Sequence, residues 1–341
     1  MVVVVFGAAG FIGTYLIDEL VRGGHQVIAS DISEGGEAYY REQKVPYYKL
    51  DITVPGALDQ LPKDNIEAVV HLACMQPANV SATRYDPVDY IRVNVIGTLN
   101  ILEWCKAAGV PRMIYTCSLR NTEGMWASKA GSPIRERDGR AIRHTGEYAM
   151  FSISESAAVD CVEHYSQTFG LRGIIFRLPP VYGYGPHTEI FKGGKPLRTG
   201  FQIFIDNASQ GKPLELWGDS SRGRDIVYVK DVVSAFVLAL KSEGVRGLYN
   251  IASGKMSSLR EEAECIAQVY WPQGSSPVII ERPEKDNGIE PYVYDISKAK
   301  REFGWSPRYS MGEMIADYKR ETELGRFKVL VEKRRVMMRK Q

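Results

Sequence analysis

The sequence predicts an α/β fold, a doubly wound parallel sheet followed by a smaller C-terminal lobe. Three observations carry this expectation. The chain opens on an unbroken apolar run, Val2–Phe6, that ends abruptly at Gly7. Short β-rich runs then alternate with amphipathic stretches through the first half, which implies parallel strands with helices on both faces. After Pro179-Pro180 the alternation gives way to an irregular pattern rich in Gly, Pro and charge.

Val2–Phe6 reads as a buried strand: it is far too short to span a membrane and lacks a basic leader. Phe11–Arg22 has apolar residues at helical spacing (Phe11, Ile12, Tyr15, Leu16, Leu20). Val27–Ser30, Tyr47–Leu50, Ala68–Leu72, Arg112–Thr116 and Gly173–Arg177 read as strands, and Val88–Ala108 and Tyr148–Phe169 as long helices. Residues 183–200 read as loop. Beyond them we expect a helix near Phe201–Gln210, strands at Leu214–Trp217 and Ile226–Val229, and helices at Val232–Lys241, Leu259–Tyr270, Ser297–Phe303 and Met311–Glu323. The expected domains are residues 1–180, with a segment returning near 225–252, and a lobe over 181–325. The basic stretch 326–341 reads as a solvated or frayed helix.

The 341 residues suffice for this architecture, and 44% hydrophobic with 25% charged residues is ordinary for a globular protein. A formal net charge of +2 gives no reason to expect nucleic acid or an anionic membrane as partner. The five cysteines (Cys74, Cys105, Cys117, Cys161, Cys265) are scattered, so neither a disulfide framework nor a metal site is expected. That pattern suits a reducing, cytoplasmic compartment.

The turn after the first strand, Gly7-Ala-Ala-Gly10-Phe11-Ile12-Gly13, opens a helix. Gly7 allows the tight turn, Gly10 close backbone approach to a pyrophosphate at the helix N-terminus, and Gly13 close helix packing. Asp31 ends the second strand about 20 residues beyond the turn, where an acid can bond both ribose hydroxyls. The pattern is that of a Rossmann-type dinucleotide site. The Asp31 charge would repel a 2′-phosphate, so NAD is expected rather than NADP. Asp51-Ile52, closing the third strand, are candidates for the adenine edge.

At these and later motifs the chain resembles the extended short-chain dehydrogenase/reductase family, the nucleotide-sugar epimerases and dehydratases. His71-Leu72-Ala73-Cys74 resembles its H-L-A-A, and Asp86-Pro-Val-Asp-Tyr-Ile-Arg-Val-Asn94-Val-Ile-Gly97-Thr98 its D-P-x-x-Y-x-x-x-N-V-x-G-T helix. Thr116-Cys117-Ser118 falls at T-S-S, and Arg177-Leu-Pro-Pro180-Val-Tyr182-Gly183 at R-x-x-N-V-Y-G, with Pro180 replacing Asn. Gly223-Arg224-Asp225 through Asp231-Val232 and Asp295-Ile-Ser-Lys298-Ala through Trp305-Ser-Pro307 resemble segments of its C-terminal half. The resemblance implies a nucleotide-sugar substrate in the smaller lobe and NAD as cofactor. It implies cofactor contacts from Gly7, Gly10, Phe11, Ile12, Gly13, Asp31, Asp51, Ile52, Leu72, Ala73 and Asn94, and substrate contacts from Cys74, Ser118, Tyr182, Arg224 and Arg282. In the family the counterparts of the two long helices pair two subunits, so a homodimer is expected.

The resemblance fails at the catalytic pair, a Tyr and a Lys four residues apart on one helix face. Here the helix begins Tyr148-Ala-Met-Phe151-Ser-Ile-Ser154-Glu155. Aligning Ser154 with the family's Ser puts Phe151 at the Tyr position and Glu155 at the Lys position; aligning Tyr148 instead puts Ser152 at the Lys position. Neither register supplies the lysine. Phe cannot move a proton, and Glu would raise a neighbouring phenol's pKa. Glu155 can still accept hydrogen bonds from ribose hydroxyls, and Ser118 keeps the family's hydroxyl. Tyr148 is the nearest phenol able to take over, with Cys117, Glu147 and His144 as further candidates. The long segment 119–145, carrying Arg120, Lys129, Arg135, Arg137, Arg140 and Arg143, reads as a cationic lid or a solvated insertion.

Three functions follow: a NAD-dependent nucleotide-sugar epimerase or dehydratase with an atypical acid–base set, a catalytically degenerate protein that binds both ligands in a regulatory or partner role, or an enzyme of a different reaction, such as a one-way oxidation or reduction of a non-sugar substrate. NAD is the expected cofactor. Titration should show NAD(H) binding at least ~tenfold more tightly than NADP(H), equivalent to ~1.4 kcal/mol. Equal affinities would remove Asp31 from its assigned role.

Overall fold

A run of four valines and a phenylalanine becomes the spine of the molecule. In the computed structural model, which describes residues 1–77, 85–186, 189–192 and 195–332, β1 (Val2–Phe6) pairs in parallel with strands on both sides. Residues 3–6 are solvent-free, as a strand covered on both faces must be. The first half runs β1, α1 (Phe11–Arg22), β2 (Gln26–Asp31), α2 (Gly35–Glu42), β3 (Tyr47–Lys49) and β4 (Ala68–His71). It continues with α3 (Pro87–Tyr90), α4 (Gly97–Ala107), β5 (Arg112–Ser118), α5 (Ala149–Thr168) and β6 (Arg172–Leu178). With Gly247–Asn250 (β13) at one edge, the strands form a seven-stranded parallel sheet in the order β13-β6-β5-β4-β1-β2-β3. The order reverses between β1 and β4, the crevice where such sheets bind ligands.

The second half begins with β7 (Val181–Tyr182), β8 (Glu189–Lys192), β9 (Lys195–Arg198), α6 (Gly200–Ser209), β10 (Leu214–Trp217), β11 (Gly223–Arg224) and β12 (Val227–Tyr228). Then α7 (Val229–Lys241) packs on α1, and β13 (Gly247–Asn250) joins the edge of the main sheet beside β6. The chain ends through β14 (Ser257–Ser258), α8 (Leu259–Tyr270), β15 (Ile279–Arg282), α9 (Ser297–Phe303) and α10 (Met311–Leu324). Small sheets β10-β15, β11-β14 and β7-β12 build the lobe around α6 and α8. Ser310 and Glu313 form a reciprocal capping box that starts α10.

Four expectations change. The 183–200 loop contains the antiparallel hairpin β8-β9. The helix α2 is one that periodicity did not reveal, because its first two residues are glycines. The expected helix Val88–Ala108 is interrupted: Asp86 caps α3 by accepting the Val88 amide at 2.8 Å, and residues Ile91–Ile96 wind as a π-helix before α4. The wider π turn carries Asn94 inward, where it is 1% exposed.

The fourth change is at the C-terminus. The expected basic tail is packed as far as it is described: Arg326 pairs with Asp18 and Glu321, and Phe327, Leu330 and Val331 are buried. Phe327 sits among the rings of Tyr15, Tyr39 and Tyr184. Residues 333–341 lie outside the described residues. Phe327→Ala should cost about 3 kcal/mol, read as a lower urea midpoint at unchanged slope. An unchanged midpoint would mean that this contact contributes nothing to stability.

Candidate active site at the strand ends

The glycine turn is fixed by sterics before any ligand is considered. Gly7 has φ +82°, and its N–H donates to the Ser30 carbonyl at 2.9 Å. A Cβ at Gly7 would stand 2.7 Å from the Ala73 nitrogen and the Leu72 carbonyl carbon, and one at Gly13 would stand 2.3 Å from the Gly7 oxygen. Both exceed what backbone can accommodate. Gly7 therefore lets the turn cross under Leu72-Ala73, and Gly13 seats α1 on the turn. At Gly10 a Cβ would meet only the Gly7 oxygen, at 3.1 Å, and no side chain caps α1. The cradle fits a pyrophosphate approaching the first helical turn.

Asp31 is locked onto this turn. Its carboxylate accepts the Ala9 amide at 3.0 Å and the Ser33 amide at 2.9 Å. Burial raises its pKa, while those backbone donors oppose the rise. Asp51 folds into its own turn, accepting the Thr53 amide at 2.9 Å and hydroxyl at 2.8 Å. Ile52 is buried under α4, its carbonyl accepting from Asn100.

Asn94 clamps the crevice floor. Its Oδ1 accepts the Met75 amide at 2.7 Å, and its Nδ2 donates to the Met75 carbonyl at 3.1 Å and to Ser154 Oγ at 2.9 Å. Both amide hydrogens are thus committed to protein, tying the chain after Cys74 to α5.

At the end of β5 the Ser118 amide donates to Glu155 Oε2 at 3.0 Å, and Ser118 Oγ accepts the Arg120 amide at 3.2 Å. Phe151 and Glu155 lie one turn apart on α5, 4% and 3% exposed. Burial pushes the Glu155 carboxyl up to about 8, offset in part by the Ser118 donor. The thiols of Cys74 and Cys117 rise to about 12 for the same reason, which makes Cys117 a poor base. His71 falls to about 3 through burial, its Nε2 2.9 Å from Thr98 Oγ. His144 and Glu147 are exposed. Tyr148, just before α5, lies beneath the Arg120 guanidinium, which is 3.9 Å from the ring centroid. Sequence reasoning did not single out this pairing, since it joins residues from two separate elements.

In the segment 119–145, five of the six cations named from sequence are paired with acids, and part of the segment is core rather than solvated. Arg120 and Arg143 pair with Glu123, Lys129 with Asp138, Arg135 with Asp295 and Arg140 with Asp160. Met125, Trp126 and Ile134 form a core with Ala252, Tyr292 and Tyr294. Lys129 is thus engaged by Asp138 at 2.9 Å.

Across the crevice Tyr182 donates to Glu262 at 3.1 Å. Burial lifts Glu262 to about 7, opposed by Tyr182 and by the Arg224 charge. Arg224 does not pair with Asp225; that carboxylate accepts the Ser253, Gly254 and Tyr294 amides. Arg282 donates to Glu215 at 3.0 Å, and Lys285 joins it at 3.0 Å. Glu262, Glu215 and Lys285 were not expected from sequence; only pairing across the lobe reveals them. Among the described residues there is no cluster of three or more His, Cys, Asp or Glu able to hold a metal, and no helix is long and apolar enough to cross a membrane.

Residues 3–252 match the model of the NAD-dependent epimerase/dehydratase family. The chain belongs to that family. A putative UDP-glucose 4-epimerase of Methanocaldococcus jannaschii is 26% identical over 316 residues, 92% of this chain and 95% of the relative. UDP-glucuronic acid decarboxylase 1 of Arabidopsis thaliana is 26% identical over 326 residues, 93% and 69% of the two chains. Among solved structures, Thermus thermophilus UDP-glucose 4-epimerase in complex with NAD superposes with a TM-score of 0.74 at 26% identity, covering 95% of this chain and 99% of that one. This epimerase/dehydratase family member therefore has the fold and glycine cradle of NAD-dependent enzymes, together with a buried carboxyl beside Ser118.

Glu155 makes a stability prediction. Its folded pKa lies above the ordinary value of 4.5, at about 8, so between those limits the folded state holds more protons than the unfolded state. Stability from this group therefore falls as pH rises through that window. Glu155→Gln should be more stable than the natural chain at alkaline pH, with the difference shrinking toward pH 4.5. Parallel thermal melts test this, and a difference independent of pH would refute it.

Proposed function

We propose that this protein binds NAD along the strand ends and acts on a nucleotide-linked sugar, as an epimerase or dehydratase with a rearranged acid–base set. One observation carries the reading: the glycine cradle, Asp31, Ser118 and Glu155 share the C-terminal edge of the sheet, on either side of its switch point. When bound, NAD supplies a hydride acceptor and donor. Gly7, Gly10, Phe11, Ile12 and Gly13 would hold its pyrophosphate and Asp31 its adenosine ribose. Glu155 would bond the nicotinamide ribose. Arg224 and Arg282 suit a sugar diphosphate through charge-assisted bonds, and the UDP-sugar enzymes among the relatives support that substrate class.

In this reading Phe151 and Glu155 stand where the family carries its Tyr and Lys, and Tyr148 supplies the phenol. Its oxygen takes the proton of a sugar hydroxyl, Ser118 Oγ polarises the sugar oxygen, and the Arg120 guanidinium over the ring holds the Tyr148 side chain in place. Two subunits pair through the α3–α4 stretch and α5, where Val88, Ile96 and Phe169 are exposed. The second reading, a binding protein without turnover, draws support from the burial of Phe151 and the lack of a cation on Glu155 among the described residues.

The test is incubation with NAD and a panel of UDP-, dTDP- and GDP-sugars, with products separated by chromatography. Turnover that Tyr148→Phe lowers at least ~100-fold with NAD binding intact supports the first reading. Turnover unchanged by Tyr148→Phe takes that role from Tyr148. NAD binding without any product favours the second reading.

A further inference from the structure

Glu155 is an ionisable group in an unusual position, a buried carboxyl at the switch-point edge that accepts the neutral Ser118 amide. Among the described residues, the groups around it offer no compensating charge. From β5 it is faced by Tyr115 and Cys117, and from the chain after β4 by Cys74, none of which is a cation. Arg177 on β6 and Arg140 lie near Cys117. Arg177 donates to Asn250 and to the Gly139 carbonyl, and Arg140 to the Ser156 carbonyl and Asp160. On α5 itself the next acids are Asp160, paired with Arg140, and Glu163. His71, behind Tyr115, is held neutral by burial.

We propose that Glu155 gives the site a proton-linked preference between the two redox forms of NAD, its carboxylate favouring the oxidised form and its neutral carboxyl favouring neither. The inference rests on the reading that NAD lies along this edge. Given that reading, Asp31 on β2 marks the adenosine half, so the nicotinamide half falls beyond the switch point, at the ends of β4 and β5. The oxidised nicotinamide ring is cationic and the reduced ring is neutral. A carboxylate in a low-dielectric site attracts the first and is indifferent to the second. Burial brings the carboxyl's titration to about 8, so both protonation states are reached near neutrality. A lysine at this place would act with the opposite sign, disfavouring the cationic ring at every pH where it is charged. The exchange of Lys for Glu thus retains a ribose hydrogen bond while reversing the electrostatic bias on the cofactor's redox state.

The experiment measures binding rather than turnover. NAD+, NADH and ADP-ribose, which lacks the nicotinamide, are titrated calorimetrically from about pH 6 to about pH 9 in buffers of different ionisation enthalpy. The ratio of NAD+ to NADH affinity should rise at least ~tenfold over that range, and near neutrality NAD+ binding should release more protons than NADH or ADP-ribose binding. Glu155→Gln, which keeps shape and hydrogen bonding, should make the ratio flat. A constant ratio in the natural chain, equal proton release for the three ligands, or a pH-dependent ratio that persists in Glu155→Gln would each overturn the proposal. If that variant does not fold, the proton counts on the natural chain decide alone. Failure of all three ligands to bind would overturn the NAD-site reading and this inference with it. Binding with a constant ratio would overturn only the inference.

Discussion

The close crossing of the first turn under the chain leaving β4 is the constraint on which the rest of the crevice depends. A single added carbon at Gly7 would intrude on the Leu72-Ala73 backbone, and one at Gly13 on the Gly7 carbonyl. Because these backbones touch, the N-terminus of α1, the end of β2 and the chain after β4 occupy fixed places relative to one another. The Gly7 and Ala8 amides, both donated to Ser30, and the Ala9 amide, donated to Asp31, add directional bonds to that contact. Buried backbone donors need partners, and here satisfying them also aligns the acid that faces the crevice.

A second clamp works on the opposite side of the switch point. Asn94, turned inward by a π-helical turn, holds the Met75 backbone and Ser154 together. Ser154 precedes Glu155, and Glu155 accepts the Ser118 amide. Two sets of hydrogen bonds, joined through the adjacent residues Ser154 and Glu155, thus connect the end of β4, the π-helical turn and α5 to the end of β5. A π turn costs regular helical bonding and recurs at functional sites. Its position here suits a role in setting α5 against the sheet.

How much of this was legible in the sequence depends on whether the signal is local. The valine run, the glycine spacing and the periodicity of Phe11–Arg22 and Leu259–Tyr270 are properties of consecutive residues, and the corresponding elements appear at or near the expected bounds. The helix α2 was hidden by Gly35-Gly36, and the hairpin β8-β9 by a composition that usually marks loops. The basic C-terminal stretch looked solvated because its anchors lie far off in sequence: Phe327 among Tyr15, Tyr39 and Tyr184, and Arg326 on Asp18. The same holds in the site. The Phe151–Glu155 spacing is local and could be read, whereas Arg120 over Tyr148, Glu262 beneath Tyr182 and the pairing of Arg135 with Asp295 and Arg140 with Asp160 depend on tertiary placement.

The core formed by Trp126 and Ile134 with Tyr292 and Tyr294 joins the segment that follows Ser118 to the segment that follows Arg282. It is a strut: Trp126 stacks on Tyr292 at 4.4 Å, Ile134 exchanges backbone bonds with Val293 and Asp295 at 2.8 and 2.9 Å, and Thr122 bonds Tyr294 at 2.7 Å. A ligand that displaces the chain beyond Arg282 therefore pulls on the chain beyond Ser118, and so on the amide that Glu155 accepts. Thermodynamic coupling between two sites is reciprocal. If the lobe and the sheet edge each hold a ligand, as proposed, any effect of one on the other's affinity through this strut is matched by an equal effect in reverse.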